Sequence, residues 1–212
     1  MAKAIKKLKK FHQQKVLGFP VNICTDIQAE AIELHSRGGG QIITLNTEMI
    51  MAARADPDLA IAISNSELVI PDGAGVVWAL RLQGLQVPRS PGIELAKSLL
   101  YFAESHDWKV VLVGASPDVM IRLTKKLEKE MPNLRLEMTI HGYQTKEAWK
   151  GIELELKKLR PDLVLVALGI PLQETWAMKN REGLTGLWIG VGGSFDVWAG
   201  IKKRARKSLS NL

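Results

Sequence analysis

Short apolar runs that stop at a glycine-bearing turn and resume as a helix recur along this chain. That alternation leaves few folds open to it. Leu163-Val164-Leu165-Val166-Ala167-Leu168 breaks at Gly169-Ile170-Pro171, and the run 187–191 breaks at Gly192-Gly193. The run 109–113 breaks at Gly114-Ala115-Ser116-Pro117, and 67–70 breaks at Pro71-Asp72-Gly73-Ala74-Gly75. Apolar runs of about four to eight residues, bounded by turn residues, read as buried strands. Strands that alternate with helices build parallel sheets, because a parallel connection needs a crossover long enough to hold a helix. The expected fold is therefore α/β: Rossmann-like, with a largely parallel sheet, flanking helices and room for two lobes.

The remaining segments fit that alternation. Residues 19–24 read as a strand. Thr25-Asp26 caps a helix running to about Ser36, with Glu30, Ala31 and Leu34 in its period, and Gly38-Gly39-Gly40 ends it. A strand at 41–45 and a helix near 47–54 follow. Asp56-Pro57-Asp58 opens another helix, with Asp56 at the N-cap and Pro57 in the first turn. Residues 75–82 read as helical, and Pro91-Gly92-Ile93-Glu94 leads into a helix ending near Asp107. Helices at 117–131, 146–159 and 171–180, a strand at 135–139 and a short helix after Gly193 complete the pattern.

With 212 residues, 46% hydrophobic and 24% charged, the chain has the size and composition of one ordinary globular domain. Its one cysteine, Cys24, forms no internal disulfide, which fits a reducing, cytoplasmic setting. The net charge of +7 is uneven. Lys3, Lys6, Lys7, Lys9, Lys10 and Lys15 crowd one end, and Lys202, Lys203, Arg204, Arg206 and Lys207 the other. With those 11 set aside, the other 18 of the 29 basic residues face 22 acidic ones, so the body is about −4. Such ends read first as solvated tails, then as contacts for anionic lipid. Nucleic acid ranks last, since no aromatic interleaving or groove-reading motif accompanies them. No signal peptide and no run near the ~20 apolar residues of a membrane span is visible.

Asp72 stands where a strand delivers a carboxylate to the C-terminal edge of the sheet, the edge that takes ligands in α/β proteins. Pro71-Asp72-Gly73 is also an ordinary turn tripeptide, so a catalytic and a turn reading stand side by side. The turns Gly114-Ala115-Ser116-Pro117, Gly169-Ile170-Pro171-Leu172-Gln173-Glu174 and Gly192-Gly193-Ser194-Phe195-Asp196 all lead from a strand into a helix. Helix N-termini offer free N–H groups to anions, and three such turns favour a nucleotide. None is a Walker A loop, and the dinucleotide fingerprint is missing from the first strand–helix turn. Asp56-Pro57-Asp58 spells an Asp-x-Asp metal site, but capping accounts for both carboxylates. His12, His35, His106 and His141 are scattered and read as surface or structural residues. Trp78, Trp149, Trp176, Trp188 and Trp198 read as core, and Met49 and Met51 as packing.

Taken together, several of these segments resemble one family. They are Thr44-Leu45-Asn46-Thr47-Glu48-Met49, Ile70-Pro71-Asp72-Gly73-Ala74-Gly75-Val76-Val77-Trp78 and Pro91-Gly92-Ile93-Glu94-Leu95, with the three late turns in the same order. The chain resembles the bacterial N-acetylmannosaminyltransferases of glycosyltransferase family 26 from about Phe19 to Arg204. Those enzymes serve teichoic acid, enterobacterial common antigen and capsule synthesis. The resemblance implies inverting, metal-independent transfer from a UDP-sugar donor to a lipid-diphosphate-linked sugar, with no cofactor. It places the protein peripherally at the cytoplasmic membrane surface, as a homo-oligomer with no nucleic acid partner.

The same resemblance makes Asp72 the base, with Thr44 and Asn46 lining its pocket. Gly114, Ser116, Gly169, Gln173, Gly192, Gly193 and Asp196 fall where UDP is held. Arg89 is a further donor-binding candidate, with a surface charge as the other reading. The expected division is a basic segment at 1–18, a glycosyltransferase domain at 19–201 and a short basic end at 202–212. Family members continue past Lys202-Lys203-Arg204-Ala205 in a basic, aromatic tail, and carry proline where this chain has Arg206. The expectation is a shortened end, and with it a second reading: a catalytically impaired UDP- or membrane-surface-binding homologue. An unrelated α/β nucleotide enzyme is a third.

Overall fold

A computed structural model describes residues 13–203. Lys3, Lys6, Lys7, Lys9, Lys10 and His12 lie outside the described residues, as do Arg204, Arg206 and Lys207. The described chain begins with a hairpin of β1 (Gln13–Val16) and β2 (Phe19–Asn22), followed by α1 (Ile27–Ser36) and β3 (Gly39–Leu45). Then come α2 (Thr47–Ala55), α3 (Pro57–Ser64), β4 (Leu68–Pro71), α4 (Ala74–Leu82), α5 (Gly92–Ser105) and β5 (Val110–Gly114). The second half runs α6 (Pro117–Glu130), β6 (Leu136–Ile140), α7 (Lys146–Leu159), β7 (Leu163–Ala167), α8 (Leu172–Asn180), β8 (Gly186–Gly190) and α9 (Ser194–Trp198).

Six strands form one sheet in the order β4-β3-β8-β7-β5-β6, with every neighbouring pair parallel. The inner strands read as unbroken apolar runs because both faces are covered. The pleat sends alternate residues to opposite sides. Ile42, Ile70, Leu112, Leu165 and Ile189 join one core, beneath Leu34 of α1, Leu99 of α5, Leu123 of α6 and Phe195 of α9. Ile43, Leu45 and Val69 face the other way, against Ile50 of α2, Leu59 of α3 and Leu80 of α4. On that same side Val113, Val164 and Trp188 pack on Leu156 of α7 and Ala177 of α8. The second face thus carries two clusters on one continuous sheet.

Local signals place the helix starts. Asp26 accepts from Ala29 N at 2.9 Å, and Asp56 accepts from Leu59 N at 3.0 Å with Pro57 in the first turn. Capping by Asp56 is thus realised in the fold, as expected for the Asp56-Pro57-Asp58 segment.

Three features differ from the sequence reading. The hairpin places ordered structure ahead of Phe19, so the expected boundary after residue 18 falls in its turn. Val16 is buried in the second-face core. Asn22 of β2 accepts from Val69 N at 2.7 Å, which closes the outer edge of β4 against strand addition. Finally, Trp78 is 63% exposed and Met51 57% exposed, so neither packs in the core, whereas Met49 and Trp188 do. Both outliers lie on helices whose inward stripes are filled by Val76, Val77 and Leu80 on α4 and by Met49, Ile50 and Ala53 on α2.

Candidate active site

A parallel sheet brings the C-terminal ends of all its strands to one edge, and the predicted site residues collect there. The chain leaving β4 folds over the end of β3, where Leu45 O accepts from Asp72 N at 3.0 Å and Gly73 N at 3.3 Å. A methyl group on Gly73 would stand 3.0 Å from Asn46 Cβ, and one on Gly92 would stand 2.6 Å from Thr44 Cγ2. Thr44, Asn46 and Asp72 are therefore neighbours, packed closely around Gly73 and Gly92.

The Asp72 carboxylate is oriented from two sides. Arg89 Nη2 lies 3.5 Å from Oδ1, and Gly92 N, in the first turn of α5, donates to Oδ2 at 3.3 Å. Arg89 Nε also donates to the Asp72 carbonyl at 2.5 Å. Asp72 is thus both a turn residue and an acceptor at a helix N-terminus, and its side chain keeps 23% of its surface accessible. Asn46 Oδ1 caps α2 by accepting from Met49 N at 2.8 Å. Arg89, expected with the donor-binding residues, stands beside Asp72.

The second group lies across β3. Gly114 has φ +115°, and a Cβ there would come within 2.4 Å of the Ala167 carbonyl, so only glycine serves at this close approach. Ala115 N donates to Ala167 O at 2.8 Å, and Gly142 N donates to Ala115 O at 2.8 Å, which joins the turns after β5, β6 and β7. Ser116 caps α6, accepting from Val119 N at 3.4 Å. Gln173, 3% exposed, accepts from Gly169 N at 3.3 Å and Gly192 N at 3.0 Å. Its carboxamide oxygen is spent on tying two turns together. Asp196 pairs with Lys202 at 3.4 Å, and its carbonyl accepts from Ile201 N and Lys202 N.

The two groups lie on either side of the boundary between β3 and β8. Helix α2 leaves β3 toward the second face while α9 leaves the adjacent β8 toward the first, and open α/β sheets take ligands where neighbouring connections part in this way. Two strand spacings, on the order of 10 Å, separate β4 from β8 at this edge. A separate groove of about 750 Å³, lined by Lys146, Trp149, Leu168, Leu172, Trp176 and Lys179, runs between α7 and α8 and holds none of the predicted residues.

Sequence reasoning missed Glu174. It is 1% exposed, and burial pushes its carboxyl up to about 7 against the opposing pull of the Gln173 hydrogen bond. An acidic residue in the first turn of a helix reads as an ordinary partner of the helix dipole, so no local signal marks it. Cys24 is held away from thiolate chemistry, since burial pushes its thiol up to about 11. Among the described residues, no three His, Cys, Asp or Glu side chains gather to hold a metal ion.

The pattern of the glycosyl transferase WecG/TagA/CpsF family matches residues 14–212. The chain is similar to an N-acetylglucosaminyldiphosphoundecaprenol N-acetyl-beta-D-mannosaminyltransferase of Bacillus subtilis (strain 168), with 35% identity over 169 residues. That match covers 79% of this chain and 65% of the relative. A protein described in the same words from Staphylococcus aureus (strain NCTC 8325 / PS 47) is 34% identical over 166 residues, covering 77% of this chain and 65% of its own length. The chain thus spans just under two-thirds of the length of these curated relatives.

Proposed function

This chain belongs to the glycosyl transferase WecG/TagA/CpsF family, and from that premise we propose that it transfers N-acetylmannosamine from UDP to a lipid-diphosphate-linked N-acetylglucosamine, with inversion and without a metal. The observation that carries this reading is the Asp72 carboxylate at the C-terminal edge of the sheet, oriented by Arg89 and Gly92 N beside Thr44 and Asn46. In this mechanism Asp72 takes the proton from the acceptor hydroxyl as its oxygen attacks the anomeric carbon. The bond from that carbon to the diphosphate breaks on the opposite side, and UDP leaves with the electron pair. A general base within hydrogen-bond reach contributes typically ~10²–10⁴-fold to rate. The departing charge is met by the N-terminus of α6, which opens from the turn after β5.

The acceptor named for the relatives is a lipid, so this chain would work at a membrane surface, on the cytoplasmic side where nucleotide sugars are supplied. Among the described residues no helix is long and apolar enough to cross a membrane.

The test is transfer from UDP-N-acetylmannosamine to a short-chain lipid-diphosphate acceptor in EDTA, alongside UDP binding. Asp72→Asn should lower kcat by at least ~10²-fold while UDP still binds. Wild-type turnover by that variant would remove Asp72 from the mechanism. UDP binding with no turnover by the parent chain would leave a UDP-binding homologue.

A further inference from the structure

We infer that Glu174 is a positioning residue of the strand-end site: its buried carboxyl fixes the carboxamide of Gln173, and Gln173 sets the gap between the turns after β7 and β8. The link to donor binding rests on the proposed function; the clamp itself does not.

The hydrogen bonds admit one orientation of Gln173. Gly169 N and Gly192 N both point at it as donors, so the carboxamide must present its oxygen to both. Its NH₂ group then faces the opposite way, within the protein, and needs an acceptor there. Glu174 Oε1 supplies it at 2.6 Å. Flipping the amide would set its NH₂ against two N–H donors and its oxygen against a carboxyl oxygen.

Glu174 is poorly explained as a contribution to stability. The other carboxyl oxygen, Oε2, is buried without a hydrogen-bond partner among the described residues. Burying an acid with half its hydrogen-bonding capacity unused costs free energy that an apolar side chain of the same volume would not. The pair also lies hard against the end of β8, since a methyl group on Gly190 would stand 2.8 Å from both Gln173 Nε2 and Glu174 Oε1. A shift of either side chain is therefore felt two residues on, at Gly192. The turns that the pair connects are the ones between which a nucleoside diphosphate would be seated.

The experiment reads amide hydrogen exchange at Gly169 and Gly192 by NMR without nucleotide, and UDP affinity separately. Glu174→Leu keeps the volume and removes the acceptor; it should speed exchange at both amides and weaken UDP binding, each by about tenfold or more. Glu174→Gln retains an acceptor oxygen and should restore both towards wild type. Combining Glu174→Leu with Gln173→Ala should add little to Gln173→Ala alone, because both act through one contact. Wild-type protection of Gly169 and Gly192 in Glu174→Leu would overturn the inference, as would additive effects. If Glu174→Leu does not fold, Gly190→Ala displaces the same pair, and unchanged protection there overturns it equally. Failure of the parent chain to bind UDP, with the exchange effects intact, would sink the proposed function and leave the clamp standing.

Discussion

Glu174 makes stability depend on pH in the direction opposite to that of a salt-bridged acid. Its carboxyl moves from an ordinary 4.5 up to about 7 on folding, through desolvation. Between those values the folded chain holds a proton that the unfolded chain has lost, so this contribution is full below pH 4.5 and disappears as pH rises through 7. The loss is roughly 3 kcal/mol. Melting curves from pH 4.5 to 8 should show it as a falling Tm, and Glu174→Gln should flatten that part of the profile. At Gly92 the expectation is steric. Gly92→Ala sets a methyl against Thr44 and should cost about 1–3 kcal/mol in urea unfolding while pulling the α5 amide from Asp72 and lowering transfer. Unchanged stability and turnover would show that Thr44 has room to yield. Asp72 was legible in the sequence because it lies just beyond a strand end, whereas Thr44 and Asn46 were reached only through the family resemblance of their segment. The turn reading of Asp72 is compatible with the catalytic role proposed for it, since its carboxylate accepts from a helix N-terminus at the sheet edge.

Elements were legible where the signal is local. Asp26, Asp56 and Ser116 cap their helices as side chains placed just before a helical stripe do. Asp56→Ala should therefore lower stability by about 1 kcal/mol, or ~2–4 °C in Tm, and leave transfer unchanged. A loss of transfer far beyond that would revive the metal reading of Asp56-Pro57-Asp58. Strand β1 was not legible. Gln13, Gln14 and Lys15 carry no apolar alternation, and their strand state exists only through pairing with β2. Trp78 and Met51 illustrate the converse error: a large apolar side chain reads as core, although the stripe beside it already fills the available face.

For the whole molecule, the proposed function predicts stabilisation by UDP without divalent cation. At a free concentration of 100 times Kd the gain is ~2.7 kcal/mol, or roughly 5–10 °C in Tm for a chain of this size. A melt in EDTA with no UDP-dependent shift, alongside a clear shift with another nucleotide, would favour an unrelated α/β enzyme. By itself the sequence determined the α/β alternation, most strand and helix limits to within a residue or two, and the strand-end position of Asp72 and the glycine turns. Those properties depend on residues close together in the chain, and a parallel sheet brings every such strand end to one edge. Only the tertiary structure decided the order β4-β3-β8-β7-β5-β6, the reach of Arg89 to Asp72, the tying of Gly169 to Gly192 by Gln173, and the burial of Glu174. Those are contacts across the fold: Gln41 Nε2 meets the Glu174 carbonyl at 2.9 Å from 133 residues away, and no local pattern encodes such a meeting.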